Sequence, residues 1–164
     1  MVGRAFVEAV RELPDIRLIL LGDGSQREMI HEIIASSGVS DKVYFGGLID
    51  QKNLPEYYQT ADLYLSASYS DGASVSLMEA LASGLPTLVS DIPCNQEWIK
   101  EGENGWLFKV GDVEDLKRKI SRIYDKREKL SEMRKQSRLT AENKADWLLN
   151  FQKLLQAYQK VLSN

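Results

Sequence analysis

The stretch from Ala61 to Glu97, ADLYLSASYSDGASVSLMEALASGLPTLVSDIPCNQE, decides the fold. A short apolar strand, Leu63 to Ser66, runs into a polar loop that bears Gly72. The loop opens a short helix carrying Glu79. That helix stops at Gly84, Pro86 follows, and a second β-rich run, Thr87 to Val89, begins at once. Strand, polar loop, helix N-terminus and strand in this order bind phosphorylated ligands at the carboxyl edge of a parallel sheet. Asp71 and Glu79, with seven residues between them, add carboxylates placed to accept hydrogen bonds from hydroxyls.

The flanking sequence repeats the alternation. Arg4 to Leu13 has helical spacing, with Phe6, Val7, Val10 and Leu13 on one face, and Pro14 ends it. Ile16 to Leu21 is a near-continuous apolar run, the mark of a strand buried on both faces. Gly22-Asp23-Gly24-Ser25 turns into a helix over about 26–36, with Met29, Ile30, Ile33 and Ile34 facing inward, and Gly38 stands where a helix end favours a left-handed residue. Val43 to Phe45 reads as a strand, Leu54 to Gln59 as a short helix, 95–100 as another, and Trp106 to Phe108 as a fifth strand. From Val113 onward the chain reads as charged helix, and the last helix, about 145–162, carries an apolar stripe of Leu148, Phe151, Leu155, Tyr158 and Leu162. Alternating strands and helices call for an α/β fold: a Rossmann-like, doubly wound, mostly parallel sheet with helices on both faces and extra C-terminal helices.

At 164 residues the chain fits one domain, 1–164, large enough to bury its own core. Cys94 is the single cysteine, which excludes an internal disulfide framework and fits a reducing compartment. No apolar run approaches the roughly 20 residues of a membrane span. The net charge of -3 hides an asymmetry: residues 1–108 hold 7 Lys/Arg against 16 Asp/Glu, and residues 109–164 hold 14 against 8. A basic C-terminal segment suits an anionic membrane surface or an acidic partner, and equally a solvated charged helix. A cytoplasmic protein is expected, with peripheral contact at the inner membrane face as an option, and no nucleic-acid partner.

The loop after Leu63 offers Ser66, Ser68, Ser70, Ser74 and Ser76. Unpaired backbone N–H groups at the helix start near Ser74 favour a phosphate. Glu79, one turn in, can accept hydrogen bonds from a neighbouring diol such as a ribose. The alternative has Ser74 merely capping the helix and Glu79 on its solvent face. His31, the one histidine, reads as a surface or satisfied side chain, Cys94 as a packed or partly exposed thiol, and Trp98, Trp106 and Trp147 as core or interface residues. No His/Cys/Asp/Glu cluster has metal-ligand spacing.

Taken in order, LLGDG at 20–24, VYFGGLI at 43–49, YYQTADLYLSAS, MEALASGLPTLVSD, Glu97 and ENGWLF resemble the C-terminal domain of retaining glycosyltransferases of family 4. That family has the GT-B architecture, two Rossmann-like domains facing each other across a cleft. The resemblance covers about residues 16–125. It implies a nucleoside-diphosphate sugar as donor substrate, no further cofactor, and a metal-independent transfer to a glycan or lipid-linked acceptor, as in polysaccharide biosynthesis. By position, Glu79 matches the Glu that binds the ribose hydroxyls. Asp71 stands where the family has a Glu that contacts the transferred sugar, and Asp is one methylene shorter. Gly72, Ala73, Ser74 and Val75 match the loop whose N–H groups approach sugar and diphosphate, with Ser76 as an added hydroxyl donor. Gly46 to Ile49, hence Leu48 and Ile49, match the loop that contacts the base, and Gly22 and Gly24 match the Gly-rich turn.

The resemblance weakens at the N-terminal end. Val2-Gly3-Arg4 looks like the tail of the family's first strand, which places Arg4 near the diphosphate. The usual loop and its Lys, most of that strand and the N-terminal acceptor domain are not in this sequence. The expectation is a donor-binding half, inactive alone, completed by the missing domain in cis or in trans. The runner-up is a non-catalytic nucleotide-sugar-binding or partner subunit of a two-chain transferase. The final helix is expected to fold back on its own sheet or to form a homodimer.

Overall fold

Strands and helices alternate as the hydrophobic runs require. In the computed structural model, which describes residues 1–163, the order is α1 (Val2–Glu12), β1 (Leu18–Leu21), α2 (Arg27–Ser36), β2 (Val43–Gly47), α3 (Leu54–Thr60), β3 (Tyr64–Ser66), α4 (Val75–Ala82), β4 (Thr87–Ser90), α5 (Pro93–Gln96), β5 (Gly105–Phe108), α6 (Val113–Asp125), α7 (Leu130–Lys144) and α8 (Trp147–Leu162). All strand pairings are parallel. Among the described residues they form two ladders, β1-β2 and β3-β4-β5, with no hydrogen-bonded pairing between them.

Apolar burial joins the two ladders. On α1, Ala5 packs with Leu88, Phe108, Leu116 and Ile123. Phe6, Val7 and Val10 of the same helix pack with Ile34 and with Leu18, Val43 and Phe45 of the other ladder. Each fully buried large side chain contributes about 1.5–3 kcal/mol. The helix therefore serves as a shared wall for both cores.

This packing corrects the reading of Val2-Gly3-Arg4. These residues are the first turn of α1, not a strand tail. The apolar spacing Val2, Phe6, Ala9 continues the helical face one turn earlier than Arg4. A Cβ on Gly3 would lie 3.5 Å from a methyl of Ile30, an ordinary van der Waals distance, so this buried position packs against α2 without requiring glycine. Ile30 and Ile33 take the surface that α1 offers, and Met29, expected inward, is 47% exposed.

The middle strand β4 is buried along its whole length. Its partner register sets Gly105 against Thr87. A Cβ there would fall 2.6 Å from the Thr87 carbonyl oxygen and press on Thr87 Oγ1, so the two strands can meet only with glycine at 105. Gly84 ends α4 at φ +73°, a left-handed conformation that other residues adopt at a cost.

Helix α7 lies along α4 with Met133, Ser137 and Ala141 buried. Arg134 donates to the Ala61 carbonyl after α3, and Arg138 donates to the Ala82 carbonyl that ends α4. Both arginines satisfy carbonyls that a helix end leaves free. Other C-terminal cations pair within the molecule, Lys117 with Glu12 and Lys119 with Glu101, which accounts for part of the positive charge of that segment.

Helix α8 does not fold back on the sheet, contrary to one of the two expectations. Every described residue of α8 is exposed. Asp146 caps a fresh helix by accepting from Leu149 N–H at 2.9 Å, and α7 already covers the neighbouring face of α4. Trp147 stacks on Phe151 at the surface, at a centroid distance of 5.8 Å. Among the described residues no helix is long and apolar enough to cross a membrane.

Candidate functional site

The loop from β3 to α4 delivers a strand's carboxyl end into a helix N-terminus. Ser74 is the N-cap, with an extended backbone, and its Oγ accepts from Leu77 N–H at 3.4 Å. The remaining first-turn N–H groups of α4 have no intrahelical partner. Asp71, Gly72 and Ala73 lie on the exposed approach to this turn, and Val75 and Ser76 are exposed on it. Asp71 takes part in no hydrogen bond or ion pair with the described residues.

Ser74 thus caps the helix, as the alternative reading has it, but Glu79 does not point simply to solvent. It is half-buried and its Oε2 accepts from the phenol of Tyr58 on α3 at 3.2 Å. Tyr58 is held in a small core with Ala80 and Leu85, flanked by Leu54, Ala61 and Tyr64. Burial pushes the Tyr58 phenol well above the ordinary tyrosine range, and the charge of Glu79 and its hydrogen bond reinforce the shift. The phenol is therefore a permanent donor at neutral pH. A second tyrosine contact lies alongside: Tyr64 Oη and Ser76 Oγ are 2.7 Å apart, and Ser76 Oγ lies 3.4 Å from Ser74 Oγ.

The remaining site candidates gather on the other ladder. Gly22 N–H donates to the Gly47 carbonyl at 2.7 Å, which ties the Gly-rich turn to the loop after β2. Gly24 lines a cleft of about 720 Å³ with Asp23, Ser25, Arg27, Glu28, His31 and Glu32. Leu48 and Ile49 line a second cleft of about 400 Å³ with Asp50, Asn53, Glu56 and Tyr57. Neither cleft includes Asp71 or Glu79. Arg4, on the exposed face of α1, joins neither group through a hydrogen bond or ion pair among the described residues. His31 stacks on Phe45 at 3.6 Å, and Cys94 is a half-buried free thiol.

Sequence reasoning did not single out Tyr58, Tyr64 or Arg27. Arg27 opens α2 immediately after the Gly-rich turn and pairs with Asp23 at 3.3 Å, a position legible from spacing. Tyr58 sits 21 residues from Glu79 in sequence, and only the packing of α3 on α4 brings them together.

Comparison with known proteins gives this geometry a context. Residues 4–140 match the family described as glycosyl transferases group 1. The UDP-N-acetylglucosamine–peptide N-acetylglucosaminyltransferase GtfA subunit of Streptococcus pneumoniae is 37% identical over 106 residues, 64% of this chain and 20% of that protein. The putative glycosyltransferase EpsD of Bacillus subtilis is 29% identical over 130 residues, 79% of this chain and 34% of that protein. The chain thus spans a fifth to a third of the length of these relatives. Among solved structures, pneumococcal O-GlcNAc transferase GtfA in complex with UDP and GlcNAc superposes with a TM-score of 0.83 at 31% identity, over 99% of this chain and 33% of that one. The sucrose-phosphate synthase of Thermosynechococcus elongatus superposes with a TM-score of 0.86 at 24% identity, over 98% of this chain and 42% of that one, which bears on the fold alone. With parallel ladders, helices packed on them in a Rossmann-like arrangement and a family match over most of its length, the chain belongs to the group 1 glycosyltransferases.

Proposed function

We propose that the chain is the donor-binding half of a retaining glycosyltransferase, taking a nucleoside-diphosphate sugar whose glycosyl group goes to a glycan or lipid-linked acceptor. One observation carries the reading: a half-buried carboxylate, Glu79, stands one turn inside the helix whose unpaired amides follow the β3 loop. In this reading the amides at Ser74 and Val75 face the diphosphate and stabilise the negative charge that grows on it as the sugar leaves. Glu79 accepts from the ribose hydroxyls, and Asp71, exposed beside them, accepts from a hydroxyl of the sugar. Gly22, Gly24, Leu48 and Ile49 belong to the walls toward the base. Arg4 is the weakest of the proposed donor contacts, because no hydrogen bond or ion pair among the described residues ties its exposed side chain to either group. The GtfA structure in complex with UDP supports the choice of nucleotide to test first.

Calorimetric titration of the chain with UDP, GDP and their sugar conjugates tests this directly. Glu79→Ala is expected to weaken nucleotide binding about tenfold or more, the loss of one or two charge-assisted bonds. Unchanged binding would remove Glu79 from the site. The chain alone is expected not to transfer sugar, because it supplies one wall of a two-walled cleft; turnover by the isolated chain would contradict this.

A second reading, a nucleotide-sugar-binding partner subunit of a two-chain transferase, is favoured by the name of the pneumococcal relative, itself a subunit. A cytoplasmic setting fits the free thiol of Cys94. The exposed apolar face of α8, including Phe151 and Leu155, is proposed as a contact surface for a second copy of the chain. Sedimentation tests it: a dimer is expected, and truncation before Trp147 should return a monomer.

A further inference from the structure

We propose that Tyr58 is a positioning residue that fixes the Glu79 carboxylate for a vicinal diol, and that this pair makes the site select ribonucleotides over deoxyribonucleotides. The inference rests on the nucleotide-binding reading of Glu79 above.

A glutamate side chain has three rotatable bonds, and holding it in one geometry costs side-chain entropy each time a ligand binds. A carboxylate that is already fixed avoids that loss. Several contacts fix this one. The neighbours of Glu79 on α4, Leu77, Ala80 and Leu81, are buried and anchor the backbone under it. Tyr58 is only 9% exposed, and its ring is enclosed by Leu54, Ala61, Tyr64, Ala80 and Leu85. The ring of Tyr64 lies 6.3 Å away at a tilt of 60°. The phenol thus has one place to be, and from there it donates to Glu79 Oε2 at 3.2 Å.

Ionised carboxylates have about four acceptor sites. Tyr58 occupies one, on Oε2. No hydrogen bond among the described residues reaches Oε1, so that oxygen and the second site of Oε2 remain for two hydroxyls on adjacent carbons. The half-buried setting adds selectivity. A ligand that covers the carboxylate without offering hydroxyls leaves its remaining acceptor sites unsatisfied, which is costly in a low-dielectric surround. A ribose satisfies them and a dideoxyribose does not.

The test is calorimetric titration of the 164-residue chain with UDP and with 2′,3′-dideoxy-UDP, for the wild type, Tyr58→Phe and Glu79→Gln. The wild type is expected to prefer UDP by about a hundredfold, a hydrogen-bonding site rejecting an analogue that lacks the hydroxyls. Tyr58→Phe keeps the ring and its packing; it should lower UDP affinity about tenfold and leave the affinity for the dideoxy analogue unchanged. Glu79→Gln should abolish most of the preference. If Tyr58→Phe weakens both ligands equally, or leaves the preference intact, Tyr58 is only a packing residue and the proposal is overturned. If the wild type binds no UDP or shows no preference, the nucleotide reading of Glu79 itself fails, and the proposal with it. Should Tyr58→Phe not fold, 3-fluorotyrosine labelling supplies a second readout: the fluorine resonance of residue 58 should move on Glu79→Gln and again on UDP addition. A resonance indifferent to both overturns the proposal.

Discussion

The guanidinium of Arg138 donates to the backbone carbonyl of Ala82, 56 residues earlier in the chain. That carbonyl closes the helix carrying Glu79. One residue pair therefore fastens the candidate site's helix to α7, and Arg134 does the same for the Tyr58 helix through Ala61.

Arg138→Ala should destabilise the fold by about 1 kcal/mol, the lower range for a charge-assisted bond at a partly solvated position. Urea denaturation checks this. The loss should appear as a lower midpoint at constant slope, since the surface exposed on unfolding is unchanged.

Gly105→Ala should be far more damaging. The added methyl meets the Thr87 backbone, which belongs to the buried central strand and cannot rotate away. Overpacking of this kind costs about 3 kcal/mol or more. Thermal denaturation of the soluble fraction is the measurement, and a variant as stable as wild type would show that β4 and β5 can separate locally.

Ser74→Ala removes the side-chain acceptor at the start of α4. The expected loss is about 1 kcal/mol of stability, the usual worth of an N-cap. Ser74→Asp keeps an acceptor and should hold stability while adding a negative charge where the diphosphate is proposed to sit. The two variants thus separate capping from binding: Asp should be stable and bind UDP worse than Ala does.

Asp112 gives a pH prediction. Its carboxylate accepts from Asp115 N–H at 3.0 Å as the cap of α6, and this bond, followed by attraction to Lys109, holds its pKa below the ordinary aspartate range in spite of an opposing desolvation effect. A depressed folded value means that the stabilisation is fully present above the unfolded pKa of about 3.9 and is lost as pH falls through the folded value. The stability gap between wild type and Asp112→Ala should therefore be constant above about pH 5 and shrink toward zero in strong acid. Urea midpoints across pH 2 to 7, on the scale of that unfolded value, measure it. A gap that persists at the acid end would assign the effect to packing.

Most of the element order was legible in the sequence, because it is carried by local signals. The apolar runs at Leu18–Leu21 and Thr87–Ser90, the stop at Gly84 and the cap at Ser74 each act over a few residues. The loop and helix of the candidate site were legible for the same reason. What escaped notice depends on distant packing. The hydrogen bond from Tyr58 to Glu79 requires α3 and α4 to dock. Helix α8 keeps its amphipathic stripe whether or not anything covers it, so periodicity alone could not say that it stands in solvent. The first turn of α1 looked like a strand tail because Val2-Gly3-Arg4 taken alone carries no helical period; the pairing of Val2 with Phe6 and Ala9 supplies it.

Helix α1, which walls both hydrophobic cores while no ladder among the described residues joins the sheets, has a consequence for cooperativity. Single helices with few buried contacts ordinarily open on their own. This one cannot, since its departure would strip a face from each half of the molecule together. Its amides should therefore exchange with deuterium only as fast as the whole chain unfolds, and a polar residue in place of Phe6 or Val7 should let the β1-β2 half melt separately, turning one calorimetric transition into two.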